Sequence, residues 1–351
     1  MPLRRSLSKS VSTSAPRRVA GVVLAAALAV GMAACGGPDN DRTVTMLTHD
    51  SFELPSSVID AFHQSTGMTL KIAKSGDAGK LASQISLTPG SPKGDLVYGI
   101  DNTFASRPIE AGALESYISP AAVNGADQYA LPGGSNLLTA VNRGAVCLNV
   151  DLAWYDRRDA TPPTSLDDLV KPQYRDQAAL LDPGTSSPGI SFLLTTIGQK
   201  RGGWEAYWRR LVDNGATIVS GWEIAYNQLF SAGAGHGTKP IVISYASSPA
   251  ATPGTAALLE TCFRQVEYAG ILKGAANPEG ARKAIDFLLS PTVQKALPSA
   301  MYVYPVTRGI AMPDGWATRA PIPEWTVNMP PDYIAANREK WLQQWRDAVR
   351  R

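Results

Sequence analysis

"TVTMLTHDSFELPSSVIDAFHQSTGMTLKIAKS", residues 43–75, decides the fold class. Its first seven residues read as a strand, and "PSSVIDAFHQSTG" reads as a helix that ends near Gly67. "TLKIAKS", residues 69–75, gives the next strand. A strand, a helix and a strand in close succession make a βαβ unit, and hence a parallel sheet. The pattern continues with a helix in "GKLASQISL" and a short buried strand in "GDLVYGID", residues 94–101. The chain is therefore α/β.

From about residue 137 the pattern shifts. "LTAVNRGAVCLNVDL" is a longer extended run, suited to a strand that crosses between domains, and "QVEYAGILKGA" is a second such run that can cross back. Between them, "PPTSLDDLV" offers a Ser cap and an acidic first turn for a helix. "QAALLDPGTSSPGISFLLTTIGQ" reads as strand, polar turn and helix, and "KPIVISYASSPA" as a buried strand running into a Ser-rich turn. "NPEGARKAIDFLLSPTVQKAL" carries two helices, "MYVYPVT" a short strand, and residues 334–350 a Trp-rich amphipathic helix.

The first residues read differently. Arg4, Arg5, Lys9, Arg17 and Arg18 precede the apolar run 19–35, a basic region followed by a short hydrophobic one, as in an export signal. Cys35 follows Met32-Ala33-Ala34 and precedes "GGPDND". Two readings stand: a lipoprotein signal whose Cys35 is acylated, or an ordinary secretory signal that contains a Cys. The chain has 33 Lys and Arg against 30 Asp and Glu. Residues 1–34 hold five of the basic residues and no acidic one, so 28 against 30 remain, a net charge of −2. That balance leaves no basic patch for nucleic acid. Cys147 and Cys262 are the other cysteines. Outside the cytoplasm such a pair can form a disulfide, or stay as two thiols if the fold keeps them apart.

In open α/β sheets ligands sit at the carboxyl ends of strands. That rule singles out His49-Asp50-Ser51, Gly76-Asp77, Asp101-Asn102, Thr185-Ser186, Ser244-Tyr245 and Tyr302. "VSGWEIAY", residues 219–226, adds a helix start with Ser220 as cap, Glu223 three residues on, and Trp222 in the first turn where N–H groups lie free. Trp222 is there either as core or as a ligand face.

Enzyme patterns fail. "GDAGKL", residues 76–81, lacks the spacing of a phosphate loop, and "GTSSPG" lacks that of a nucleophile elbow. His49, His63 and His236 are not spaced for zinc with Cys or carboxylates. A Ser186–His49 pair with an acid, or Asp50 with Asp101 as a glycosidase couple, has no supporting pattern around it.

Seven segments then line up in one order: "TMLTHDSF" (45–52), "GDLVYGIDN" (94–102), "LLDPGTSSPG" (180–189), "VSGWEIAY" (219–226), "VISYASSPA" (242–250), "FLLSPTVQKALP" (287–298) and "YVYPV" (302–306). In these the chain resembles the thiamine-binding proteins of bacterial ABC importers. The resemblance implies a type II-like periplasmic-binding-protein fold, two lobes joined by crossing hinge strands. It divides the chain into a signal peptide 1–34, a linker 35–42, one lobe of 43–141 plus 270–305, and a second of 142–269 plus 306–351. It also implies a monomer, exported and anchored by lipidated Cys35 to the outer face of the cell membrane. Its partners are an importer permease and ATPase, with no metal or cofactor.

Thiamine joins two aromatic rings, one a fixed cation, so its site needs flat faces and carboxylates. The resemblance gives Trp222, Tyr245 and Tyr302 as faces, and Asp50 and Asp77 as acids. Ser51 lies beside Asp50 in the shared "DSF" segment. Asp101 is a further acid or a helix cap, and Tyr226 a further face or core. Thr185, Ser186 and the backbone at Ala78 would receive the hydroxyethyl tail or a phosphate on it. Relatives carry Tyr at the place of His49, Trp at that of Tyr302 and a second Tyr at that of Ala251, and an aromatic after "DSF" is missing here. Phosphate esters of thiamine fit as well. The competing readings are a polyamine binder, a ferric-ion binder, whose adjacent tyrosines have no match in the diverging Tyr302 and Tyr304, and a surface-tethered hydrolase.

Overall fold

A computed structural model describes residues 42–134, 136–324 and 326–350. The signal, Cys35 and nearly all of the linker lie outside the described residues. In chain order the elements are β1 (Thr43–Thr48), α1 (Ser56–Thr66), β2 (Thr69–Lys74), α2 (Ala78–Ser86), β3 (Leu96–Asp101), α3 (Ser106–Glu110) and β4 (Leu114–Glu115). Then come β5 (Thr139–Asp151), α4 (Leu152–Asp156), β6 (Ala178–Leu181), α5 (Ser187–Lys200), α6 (Trp204–Asp213), β7 (Thr217–Val219) and β8 (Ile241–Tyr245). The chain ends with α7 (Ser248–Ala251), β9 (Thr255–Leu272), α8 (Pro278–Leu288), α9 (Pro291–Met301), β10 (Tyr304–Pro305), α10 (Trp316–Arg319) and α11 (Pro331–Val349).

The sheet runs β2-β1-β3-β9-β5-β8-β6-β7, with β10 on β5 and β4 on β9. β1 is parallel to β2 and β3, and β6 is parallel to β7 and β8. Between these parallel halves, β5 and β9 form an antiparallel ribbon from Thr139↔Ala269 to Asp151↔Thr255. β9 pairs with β3 through its last residues, while β5 pairs with β8 through Val146–Val150. Both long strands thus belong to both halves. Cys147 and Cys262 join them in a disulfide just past the crossover.

The first βαβ unit forms as the sequence predicts, with α1 closed by Gly67 in the left-handed conformation at φ 71°. Four expectations change. "PPTSLDDLV" yields only a 3₁₀ turn at Asp168–Val170, because Pro172 drives Lys171 into extended backbone (ψ 146°) and stops the helix. Ser220 does not cap a helix: β7 ends at Val219 and a π-helix runs over Glu223–Leu229 with Trp222 as its N-cap. Such helices recur at functional sites. Tyr302 is not in a strand; it closes α9 with φ 56°. Residues two apart in a regular strand would share a face. The left-handed turn at Tyr302 is what separates its side chain from that of Tyr304. β9 also starts well before "QVEYAGIL" and is 18 residues long.

α11 packs on α6, where Trp345 meets Trp208 edge to face at 5.7 Å. It also reaches the first half, because buried Arg338 donates to the Thr103 carbonyl at 2.9 Å. Among the described residues no helix is long and apolar enough to cross a membrane.

Candidate functional site

A cavity of about 470 Å³ opens where β1, β8 and the end of α9 converge. The strand-end rule places it, since β1 ends into His49-Asp50-Ser51 and β8 ends at Tyr245, and all four line the cavity. Trp222 and Glu223 enter from the π-helix start, and Met301, Tyr302 and Val303 from the α9 cap. Of the expected residues, Asp50, Ser51, Trp222, Tyr245 and Tyr302 come together here.

The charge in this cavity is one-sided. Among the described residues, Asp50, Glu53, Glu223 and Glu267 face one lysine, Lys74, which sits 3.3 Å from Glu53. Glu267 lies on β9, 3% exposed. Its Oε2 accepts from Tyr98 (3.2 Å) and Asn142 (2.8 Å), while Oε1 stands 3.6 Å from His49 Nε2. Burial, then the Glu267 charge, pushes both the Tyr98 and Tyr245 phenols well above their ordinary value, so both stay neutral donors. The His49 ring packs tightly over Gly99, where a Cβ would overlap it and where φ is 93°. A buried Asp50 oxygen has no hydrogen-bond partner among the described residues. The arrangement favours a cation.

The flat faces are layered. Tyr226 stacks on Trp222 at 4.7 Å and 12°, so it backs the indole and does not line the cavity. Burial lifts the Tyr226 phenol to about 12, and its hydroxyl is hydrogen-bonded to Thr252 at 2.8 Å. Tyr302 stands 6.2 Å from Trp222 at 55°, a second face set obliquely to the first. Trp222 Nε1 donates to Ser244 at 2.9 Å, which fixes the indole's rotation.

The remaining expected residues do not line the cavity. Asp77, Asp101 and the Thr185 carbonyl join the two halves beside it, while Ala78 and Ser186 bond within their own half. Asp77 caps α2 through the Ala78 N–H (2.6 Å), and its other oxygen accepts the Trp222 N–H at 2.9 Å. The free N–H predicted at Trp222 is thus met by a carboxylate from across the cleft. Lys80 N–H donates to the Thr185 carbonyl at 3.2 Å, and Gly79 lies so close to Thr185 that a Cβ would be 2.8 Å from its backbone. Thr185 Oγ1 donates to the Ser220 carbonyl at 2.7 Å, and the Ser186 hydroxyl accepts from Gly189 to cap α5. Burial raises the Asp77 carboxyl above its ordinary value despite these donors.

Asp101 is fully buried. Its Oδ1 accepts from Thr103 and Phe104, which makes it the cap of a turn, and its Oδ2 meets the Ser187 hydroxyl. Burial pushes its carboxyl up. A carboxyl with a higher pKa folded than unfolded weakens the fold once ionised, and that cost fades as pH falls through the folded value. Asp101→Asn keeps the capping oxygen and removes the charge. It is expected to unfold at or above the parent's temperature at mildly alkaline pH, the advantage shrinking toward the ordinary 3.8. Thermal unfolding across that range checks this; an advantage that grows on acidification contradicts it.

Sequence reasoning passed over Glu267, Glu53, Lys74 and Asn227. A lone acid inside the apolar run "QVEYAGIL" was the available signal for Glu267, because an ionisable residue in a buried strand rarely lacks a role.

This cleft between two halves joined by crossing strands is a solute-binding architecture. A family model described as bacterial extracellular solute-binding protein matches residues 91–328, and the chain belongs to that family. It is 30% identical over 328 residues to the thiamine-binding periplasmic protein of Escherichia coli K12, across 88% of this chain and 94% of that one. The protein of the same name from Salmonella typhimurium is 27% identical across 90% of this chain and 97% of the relative. Among solved structures, a periplasmic thiamin binding protein matches with a TM-score of 0.77 at 26% identity, covering 88% of this chain and 96% of the other. The fold is the two-lobed α/β fold of periplasmic binding proteins, and the family is one of binders, not enzymes.

Proposed function

We propose that this protein captures thiamine in the cleft between its halves and delivers it to an ABC importer, its permease and ATPase. The observation that carries the reading is the pairing of an acid-rich cavity with the oblique faces of Trp222 and Tyr302. A ligand with two joined aromatic rings and a fixed cation matches both features. Asp50 and Glu267 balance the charge and accept from the aminopyrimidine, Ser51 and Tyr245 supply hydroxyls, and Tyr226 supports Trp222 from behind. Asp77 and Asp101 hold the halves together over the ligand. The relatives named for thiamine, matched over nearly the whole chain, support the same ligand. In this reading the protein is an exported monomer, anchored outside the cell membrane through lipidated Cys35.

Free thiamine is favoured over its phosphate esters. The Ala78 N–H, the Thr185 hydroxyl and the Ser186 N–H, all expected to serve a phosphate, are engaged within the protein, and the cavity carboxylates repel added negative charge. Titration calorimetry with thiamine, its mono- and diphosphate and spermidine tests this. Affinity should fall from thiamine to the diphosphate by at least about tenfold. A spermidine complex tighter than any thiamine form would replace the reading with polyamine capture.

A further inference from the structure

The molecule holds a second cavity whose charge is opposite to that of the first. It measures about 530 Å³, within the range of small-ligand pockets, and lies between β5, β10 and the segment that leads into and past α10. A smaller one of about 230 Å³ shares its Tyr129, Arg143, Tyr304 and Ile322 walls. Together they present Arg143, Arg264 and Arg308 and, among the described residues, no carboxylate.

Arg143 is the centre of this site. Its guanidinium lies 5.4 Å from the ring centroids of both Tyr129 and Tyr304, and Arg264 lies 5.8 Å from Tyr129. The guanidinium carbon of Arg143 stands over both rings, and among the described residues no hydrogen bond takes its edge donors. Its buried Nε has no hydrogen-bond partner among the described residues, a costly arrangement unless something else accepts from it. Arg308 is tied back to the Val123 carbonyl at 2.6 Å, and the Tyr304 hydroxyl donates to the Ala320 carbonyl at 2.8 Å. Apart from Gln128 and Thr307 the rest of the wall is mostly apolar, chiefly Met312, Trp316, Pro321 and Ile322.

We propose that this cavity is a second binding site, for a small organic anion with one carboxylate on a flat or aliphatic body. The carboxylate takes both edge donors of Arg143 in the fork geometry that suits a guanidinium, with Arg264 adding charge. The body lies against Trp316 and Met312. The thiamine cation has no place here, so the two sites are chemically separate. Arg143 sits on β5, where it pairs with Tyr304 of β10, so a ligand at this site touches one of the two crossing strands.

The test uses benzoate, with benzamide as its neutral isostere and inorganic phosphate as an anion without a body. Titrations followed by calorimetry and saturation-transfer NMR should show benzoate binding at least about tenfold tighter than either control. Arg143→Gln and Ile322→Glu should each weaken benzoate by about tenfold or more while thiamine binds as in the parent. Ile322 is 54% exposed, so its variant folds even where Arg143→Gln does not. Equal binding of benzoate and benzamide, or unchanged benzoate affinity in whichever variants fold, overturns the proposal.

Discussion

Trp222→Ala should weaken thiamine binding by about a hundredfold, close to 3 kcal/mol, the loss expected for an aromatic anchor in a desolvated pocket. The indole is a wide face in the cavity, backed by a second ring and held at its Nε1 and its backbone. Tyr226 covers its back at 4.7 Å, Ser244 takes its Nε1 hydrogen at 2.9 Å, and Asp77 takes its backbone N–H at 2.9 Å. Removing it takes away a rigid surface and exposes the next ring to water. The same side chain is only 7% exposed, so the truncation also costs stability, on the order of 3 kcal/mol or more. Trp222→Phe separates the two effects. It keeps a flat face and most of the packing while losing the bond to Ser244, and should retain affinity to within about tenfold. Calorimetry on folded samples of both variants decides the matter. If the Ala variant binds within about threefold of the parent, Trp222 is core alone.

Breaking the Cys147–Cys262 disulfide should lower the free energy of unfolding by about 2–4 kcal/mol. The two residues are 115 positions apart, and a cross-link that closes so long a loop removes many conformations from the unfolded chain. The double Ala variant is the better probe than Ser, because the site is buried among Ala145 and Ala246 and Ala places no new polar group there. Urea unfolding with and without a reductant measures the difference as a shift in midpoint at similar slope. An unchanged midpoint would mean that the ribbon of β5 and β9 holds its register without the bond.

Much of this fold can be read from local pattern, because parallel βαβ units carry their signals within thirty or so residues. The strand ends near Asp50, Ser51 and Tyr245 are found in the same way, since the chemistry of an open sheet collects at one edge. Trp222 stands out because a large ring at a helix start is an odd choice for the first turn. What local pattern does not supply is the partner of each group. Asp77 and Asp101 look like ligand acids until the start of α5 and the backbone of Trp222 arrive from more than eighty residues away to occupy them. Glu267 is missed for the reverse reason: a strand read as a structural crossover turns out to carry a carboxylate on the cavity floor. The π-helix at Glu223–Leu229 has the spacing of an ordinary helix in sequence, and only its surroundings widen the turn.

The disulfide sits between the two long strands that both halves share, and this has a mechanical meaning. A covalent staple across an antiparallel ribbon prevents one strand from sliding along the other. The ribbon can still bend and twist, as a leaf spring does, but its two leaves must do so together. Any relative motion of the halves would thereby be confined to bending and twisting of the ribbon, and such motion would carry Asp77 toward or away from the Trp222 N–H. With the staple cut, the same halves gain a shearing motion. They could then approach each other out of line, with the indole in place but the carboxylate a strand position away from its donor.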